Sequence, residues 1–186
     1  HFHVMGSSLS SPEVVRMNVE TVVAVKSRGG TVSFDPNLRA ELLNTPGMRD
    51  AMLQILRHTD LFLPSDGELG LLADNCSDSE AVPRLLAQGV KAIVHKRGAR
   101  GAGCYDSQGT RVAAGFRVRE TDPTGAGDCF GGAFTALWLQ GTDLDDALTL
   151  ACAAGARSVT RRGPMEGTAT RAELDAFISD TERQTP

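Results

Sequence analysis

The sequence predicts an α/β protein whose mostly parallel sheet is flanked by helices. Three observations lead there. Short strand-like runs start at Thr31, Leu61 and Lys91, the latter two mostly apolar, the pattern of strands buried on both faces. Segments of helical period separate these runs, as crossovers between parallel strands require. The 186 residues, 41% hydrophobic and 23% charged, carry enough apolar surface for one folded domain and too much for a disordered chain. Ligands of such sheets bind at the carboxyl ends of the strands. The chemistry is therefore expected after Asp35, Leu63 and His95, and at the glycine-rich turn 121–128.

Each element has its own signal. His1-Phe2-His3-Val4-Met5 reads as a short strand, entered without an initiating Met. Ser10-Ser11-Pro12-Glu13 is a helix entry, since Ser caps free N–H groups and Pro tolerates the first turn. Val15, Val19, Val22 and Val23 continue it at helical spacing up to Gly29-Gly30. Thr31 to Asp35 alternates as a strand that Pro36-Asn37 stops. Residues 47–59 place Met48, Met52, Ile55 and Leu56 on one helical face. Leu61 to Leu63 is a buried strand ending at Pro64. Helical pattern returns at 66–73 and 79–88, with Gly89 as a stop. Lys91 to His95 is a strand. Ser107-Gln108-Gly109 is the turn of a hairpin. Helices follow at 127–140, 143–158 and 170–180.

Composition excludes several classes. A net charge of -4 does not suit non-specific nucleic-acid binding, which needs a basic face. No apolar run approaches the ~20 residues of a membrane span, and no basic-then-apolar leader opens the chain. Cys76, Cys104, Cys129 and Cys152 include no C-x-x-C pair, and the histidines no H-E-x-x-H. The cysteines read as reduced thiols of a cytoplasmic protein.

The richest motif is Thr121-Asp122-Pro123-Thr124-Gly125-Ala126-Gly127-Asp128-Cys129-Phe130-Gly131-Gly132-Ala133-Phe134. Gly125, Ala126 and Gly127 let a ligand approach the backbone closely. The helix behind them directs free N–H groups and a partial positive charge outward, which makes an anion site. Asp128 is the odd residue there. It is either a helix-start acid favoured by the dipole or a base beside a phosphoryl group. A dinucleotide-binding reading fails, because the third Gly and the following acid of a G-x-G-x-x-G unit are missing.

This string resembles the C-terminal signature of the ribokinase-like (PfkB-type) carbohydrate kinases. The resemblance implies that Asp128 is the general base on a sugar hydroxyl and that Gly125, Ala126 and Gly127 form the anion hole for the transferring phosphoryl. Ser33-Phe34-Asp35-Pro36-Asn37-Leu38-Arg39 is similar to the D-x-N-x-R stretch of the 2-keto-3-deoxygluconate kinase and fructokinase branch. It implies Asn37 near the nucleotide and Arg39 near the substrate. Read from the residues alone, a lone Arg after a strand is more often a surface ion-pair partner, although one at a strand's carboxyl end beside an Asn is better placed than most for an anion.

Leu63-Pro64-Ser65-Asp66-Gly67-Glu68 is similar to the family's N-x-x-E motif. Ser65 replaces the Asn, so only Glu68 carries over, as a water-mediated partner of Mg²⁺. Lys96-Arg97-Gly98-Ala99-Arg100-Gly101 follows a strand as the family's nucleotide loop does, implying Lys96, Gly98 and Gly101 around ATP. Residues 153–163 resemble the helix and loop over the adenine, with Ser158 on the nucleotide. Asp122 and Thr124 stand where relatives hold K⁺.

The resemblance covers essentially the whole chain as residues 1–186 of the C-terminal part of a kinase domain, lacking the N-terminal portion and lid. It implies ATP-dependent phosphorylation of a sugar or sugar acid, foremost 2-keto-3-deoxygluconate, with fructose and tagatose as alternatives. A chain that binds nucleotide without turnover is the alternative of another class. The expected partners are ATP and a small sugar, with no nucleic acid or membrane, and a homo-oligomer for the intact enzyme.

Overall fold

The structure, a computed structural model, describes residues 1–38, 47–73 and 75–184. Among the described residues there are six strands, in the spatial order β1 to β6, and seven α-helices. The strands are β1 (Phe2–Met5), β2 (Val32–Asp35), β3 (Leu61–Phe62), β4 (Ala92–Lys96), β5 (Ala102–Asp106) and β6 (Gly109–Ala113). The helices are α1 (Pro12–Ser27), α2 (Met48–Leu56), α3 (Glu68–Leu71), α4 (Asp78–Ala87), α5 (Ala126–Leu139), α6 (Leu144–Ser158) and α7 (Arg171–Asp180). β1 to β4 pair in parallel. The expected mostly parallel α/β sheet is present. No helix among the described residues is long and apolar enough to cross a membrane.

The chain divides into two compact units, His1–His95 with Tyr105–Gly109, and Lys96–Cys104 with Thr110–Pro186. In the first, Val4 pairs with Phe34, Phe34 with Phe62, and Phe62 with Ile93 across four parallel strands. β2 is buried along its whole length, so the polar members of its alternation, Ser33 and Asp35, are buried with Val32 and Phe34. The Phe34 and Phe62 rings stack with centroids 5.8 Å apart. Val22 of α1, with Met52 and Ile55 of α2, closes over this core.

α1 starts as the sequence requires, with the Ser11 hydroxyl accepting the Val14 N–H and Pro12 in the first turn. α4 starts on a reciprocal Ser77–Glu80 capping box. Asp60, 1% exposed, binds Lys26 at 2.7 Å, Lys91 at 3.0 Å and the Val32 N–H at 2.9 Å. A single carboxylate thereby fastens α1, the start of β2 and the approach to β4.

The second unit is organised by α5 and α6. A Cβ on Gly155 would lie 3.3 Å from the Ala126 carbonyl oxygen and 3.4 Å from Phe130 Cβ, so a small residue lets the two helices approach. α6 is capped by Asp143, whose carboxylate accepts the Asp145 and Asp146 N–H groups. α7 is capped by a Thr170–Glu173 box. Arg157 at the end of α6 holds the Gly167 and Thr168 carbonyls at 2.7 and 2.8 Å.

Candidate active site

The 121–128 turn forms because each residue has a defined task. Asp122 Oδ1 accepts the Thr124 N–H at 3.0 Å, and Oδ2 accepts the Gly163 N–H at 2.9 Å. The Thr124 hydroxyl, then the Thr124 and Gly163 N–H groups, hold the Asp122 carboxyl below the usual aspartate value. The N–H groups of Thr121 and Asp122 donate to the Val159 carbonyl. Gly125 takes φ +79°, a left-handed conformation that glycine adopts without cost, and it sits tightly against Pro164.

α5 starts immediately afterwards. Among the described residues, the N–H groups of Gly127 and Asp128 have no backbone acceptor, as the first turn of a helix dictates. Asp128 is exposed, and its carboxylate makes no hydrogen bond or ion pair among the described residues. Lys96 Nζ lies 3.7 Å from the position a Cβ on Gly127 would occupy. An ammonium, two aimed N–H donors and an unengaged carboxylate thus meet at one helix start.

A cavity of about 260 Å³ opens beside that start, lined wholly by the second unit. Lys96, Gly98 and Gly101 line it together with Ala126 and Gly127. The structure therefore brings five of the residues singled out in the sequence around one space. The 98–101 turn is pressed against the segment after β6: a Cβ on Gly115 would lie 3.0 Å from the Gly101 nitrogen. The remaining wall is mostly apolar, with Phe116, Val118, Phe130, Cys152 and Val159. Burial pushes the Cys152 thiol up to about 12, opposed in part by Arg183, so it stays neutral.

Ser158 is not brought to this cavity. It is 2% exposed and does not line the cavity; its hydroxyl turns back onto the Gly155 carbonyl at 2.8 Å, and Gly167 packs against its backbone. Gly155, Ala156 and Val159 supply that wall instead. Sequence reading missed the wall of Gly115, Phe116 and Val118, and Gln184 with it. The Gly115-Phe116 pair just beyond the hairpin was the available signal; Gln184 offered none.

Asn37 and Glu68 belong to the first unit. Asn37, at φ +38°, donates its N–H to Asp35 Oδ1 at 3.1 Å and its side-chain amide to Ser7 Oγ at 3.3 Å. Glu68, 8% exposed, accepts the Leu38 N–H on Oε1 at 2.5 Å and the Ser65 N–H on Oε2 at 2.6 Å. It therefore ties together the turns that follow β2 and β3. Arg39 lies outside the described residues.

Known proteins resemble the chain throughout. A 2-dehydro-3-deoxygluconokinase from Thermoproteus tenax is 33% identical over 148 residues, covering 78% of this chain and 46% of the relative. An E. coli protein provisionally named Ribokinase II, solved in complex with ATP and Mg²⁺, superposes with a TM-score of 0.93 at 47% identity, covering 96% of this chain and 58% of that one. A double-mutant fructokinase from Vibrio cholerae O395, solved with fructose, ADP and a potassium ion, superposes at 0.87 with 27% identity, covering 96% and 60%. The chain spans between 46% and 60% of the length of the first curated relatives it matches. The model of the pfkB family carbohydrate kinases matches residues 1–171. The chain belongs to the pfkB family of carbohydrate kinases.

Proposed function

We propose that this chain is the nucleotide-binding and catalytic-base part of an ATP-dependent kinase that phosphorylates a hydroxyl of a sugar acid, 2-keto-3-deoxygluconate. The observation that carries the reading is the approach of Lys96 Nζ to Gly127 at the start of α5, beside the exposed Asp128. Phosphoryl transfer needs positioning and charge stabilisation above all. Lys96 and the small-residue backbone of Gly125, Ala126 and Gly127, with the Gly127 N–H left without a backbone acceptor, receive the charge of the transferring group. Asp128 accepts the hydroxyl proton. Gly98 and Gly101 let the nucleotide lie close to the backbone, and Asn37 assists from the β2 turn.

Mg²⁺, held through water by Glu68, neutralises phosphate charge when bound. The Asp122 and Thr124 oxygens fit a potassium ion, since the Asp122 carboxylate is kept ionised by its donors. The sugar-acid assignment rests on Arg39, whose guanidinium matches a carboxylate with two parallel bonds. The 2-dehydro-3-deoxygluconokinase relative supports it. Four free thiols agree with a cytoplasmic setting. The intact enzyme is expected to work on ATP and a small sugar without nucleic acid or membrane, as a homo-oligomer.

Two other readings have support of their own. The fructokinase neighbour, solved with fructose, favours a ketohexose substrate, tagatose included. The partial coverage of relatives favours a chain that binds nucleotide and turns nothing over. The 186-residue chain is expected to bind ADP and to phosphorylate no sugar above background. In the intact enzyme Asp128→Ala should lower turnover by roughly 10²–10⁴ with ATP affinity unchanged or higher. Near-normal turnover removes Asp128 from the mechanism. A higher kcat/KM for fructose or tagatose than for 2-keto-3-deoxygluconate overturns the sugar-acid assignment. If Arg39→Lys weakens ATP and leaves use of the sugar acid unaltered, the carboxylate role of Arg39 is wrong even where the substrate is right.

A further inference from the structure

The wall of the cavity opposite in character to Lys96 is built by main-chain pairing that sequence does not announce. Residues 114–117 are bordered by residues 182–184. The Arg117 N–H donates to the Glu182 carbonyl at 2.8 Å, and the Gln184 N–H donates to the Gly115 carbonyl at 2.7 Å. Phe116 and Arg183 form an antiparallel bridge between these bonds. The Arg183 guanidinium donates to the Ala114 carbonyl at 2.9 Å and lies 4.0 Å above the Phe116 ring centre. Phe177 of α7 packs on that ring as well, at 5.3 Å between centroids. The wall is therefore fixed from behind, and Gly115, Phe116 and Gln184 face the cavity.

Charge sorts the two ends. Lys96 is the only cation among the lining residues, and it sits at the α5 start, so phosphates belong there. The rest of the lining offers apolar surface, the Glu120 carboxylate, which repels phosphate, and the Gln184 carboxamide. The carboxamide is not free to turn without loss. Its Nε2 donates to the Phe116 carbonyl at 3.5 Å, while Oε1 has no partner among the described residues. The group presented to a ligand is thus an acceptor.

We propose that Gln184 selects the base of the nucleotide, its Oε1 accepting a hydrogen from the exocyclic 6-amine of adenine. This rests on the nucleotide reading of the cavity given above. Guanine and hypoxanthine carry a carbonyl oxygen at that position, which would face Oε1 acceptor to acceptor. Loss of a hydrogen bond at a partly buried site, with the partner left unpaired, costs more than the bond itself contributes.

The test is calorimetric titration of the 186-residue chain with ADP, GDP, IDP and the diphosphate of unsubstituted purine riboside. Wild type should bind ADP about 10-fold or more tighter than the other three. In Gln184→Ala and in Gln184→Leu the four affinities should converge to within about 3-fold, with thermal midpoints as in wild type. The purine riboside arm tests the 6-amine without altering the protein. If wild type binds none of the four, the nucleotide reading itself is wrong. If wild type binds ADP without preferring it, or if both variants keep the preference, Gln184 does not select the base while the nucleotide reading stands.

Discussion

Asp122 Oδ2 accepts the backbone N–H of Gly163 at 2.9 Å, across 41 residues of sequence. The bond joins the turn that enters α5 to the loop that leaves α6. The same carboxylate closes the turn locally on Thr124. One acid therefore sets the position of the Gly125–Asp128 backbone from both sides.

Asp122→Ala should loosen this turn in a pH-dependent way. The hydroxyl of Thr124 and the N–H groups of Thr124 and Gly163 depress its pKa in the folded chain. A depressed carboxyl adds stability above its unfolded value of about 3.9 and loses it as pH falls through the folded value. The gap in urea midpoint between wild type and Asp122→Ala should therefore be open near about pH 6 and shrink toward about pH 3. A gap independent of pH would show that the ionised carboxylate is not what holds the turn. ADP affinity in potassium buffer should also exceed that in sodium buffer for wild type and not for the variant.

Gly125→Ala should damage the site by a different route. The residue needs φ +79°, and its missing Cβ would lie 3.0 Å from Pro164 Cα. A left-handed alanine costs about 1–2 kcal/mol before any overlap. With backbone in the way, a loss of roughly 2–4 kcal/mol in urea-unfolding stability is expected. A variant within about 0.5 kcal/mol of wild type would mean that the turn is free to rearrange.

Legibility followed the range of the interactions. The turn at Gly125 to Asp128 was readable because small residues and a helix start lie next to one another in sequence. Strand β2 was readable from its alternation, and β3 and β4 from short runs that are mostly apolar. The helix expected over 66–73 is shorter, Glu68–Leu71, because Gly67 at φ +80° starts it late and Gly70 is pressed against the Cys76 carbonyl. The cavity wall of Gly115, Phe116 and Gln184 was not readable, since Arg183 reaches Ala114 across 69 residues. Nor was the Asp60 hub, whose Lys26 partner lies 34 residues away. Ser158 lies off the cavity while Val159 lines it, because one residue along a helix turns the side chain by about 100°.

Asp60→Ala should be the most damaging of the carboxylate deletions. Burial opposes ionisation of Asp60, but the Lys26 ammonium, the Val32 N–H and Lys91 outweigh it and keep its carboxyl below the ordinary value. The Lys26 side chain is 31% exposed and Lys91 62%, so water screens part of the attraction. Their retained access to water also limits the penalty when Asp60 is removed. The expected loss is about 2–3 kcal/mol in urea unfolding, carried largely by the Lys26 and Val32 bonds. Because the shift is downward, this contribution is present at neutral pH and disappears on acidification below the folded value. A loss under about 0.5 kcal/mol would show that the network contributes nothing net.

Lys96→Met tests whether the Lys96 end of the cavity is where phosphates bind. Methionine keeps an unbranched apolar stem of similar reach, so the packing of β4 and of the 98–101 turn should survive. What disappears is the ammonium beside the α5 start. A charge-assisted bond to phosphate contributes about 1.5–3 kcal/mol, so ADP affinity should fall by roughly 10- to 100-fold. Adenosine, which has no phosphate, should bind the variant and wild type alike. The salt dependence of ADP binding should also flatten, because one cation no longer contributes to the attraction. Equal loss for ADP and adenosine would mean that Lys96 shapes the cavity and does not meet the phosphates. An unchanged ADP affinity would place the phosphates elsewhere and detach the cavity from the chemistry at Asp128.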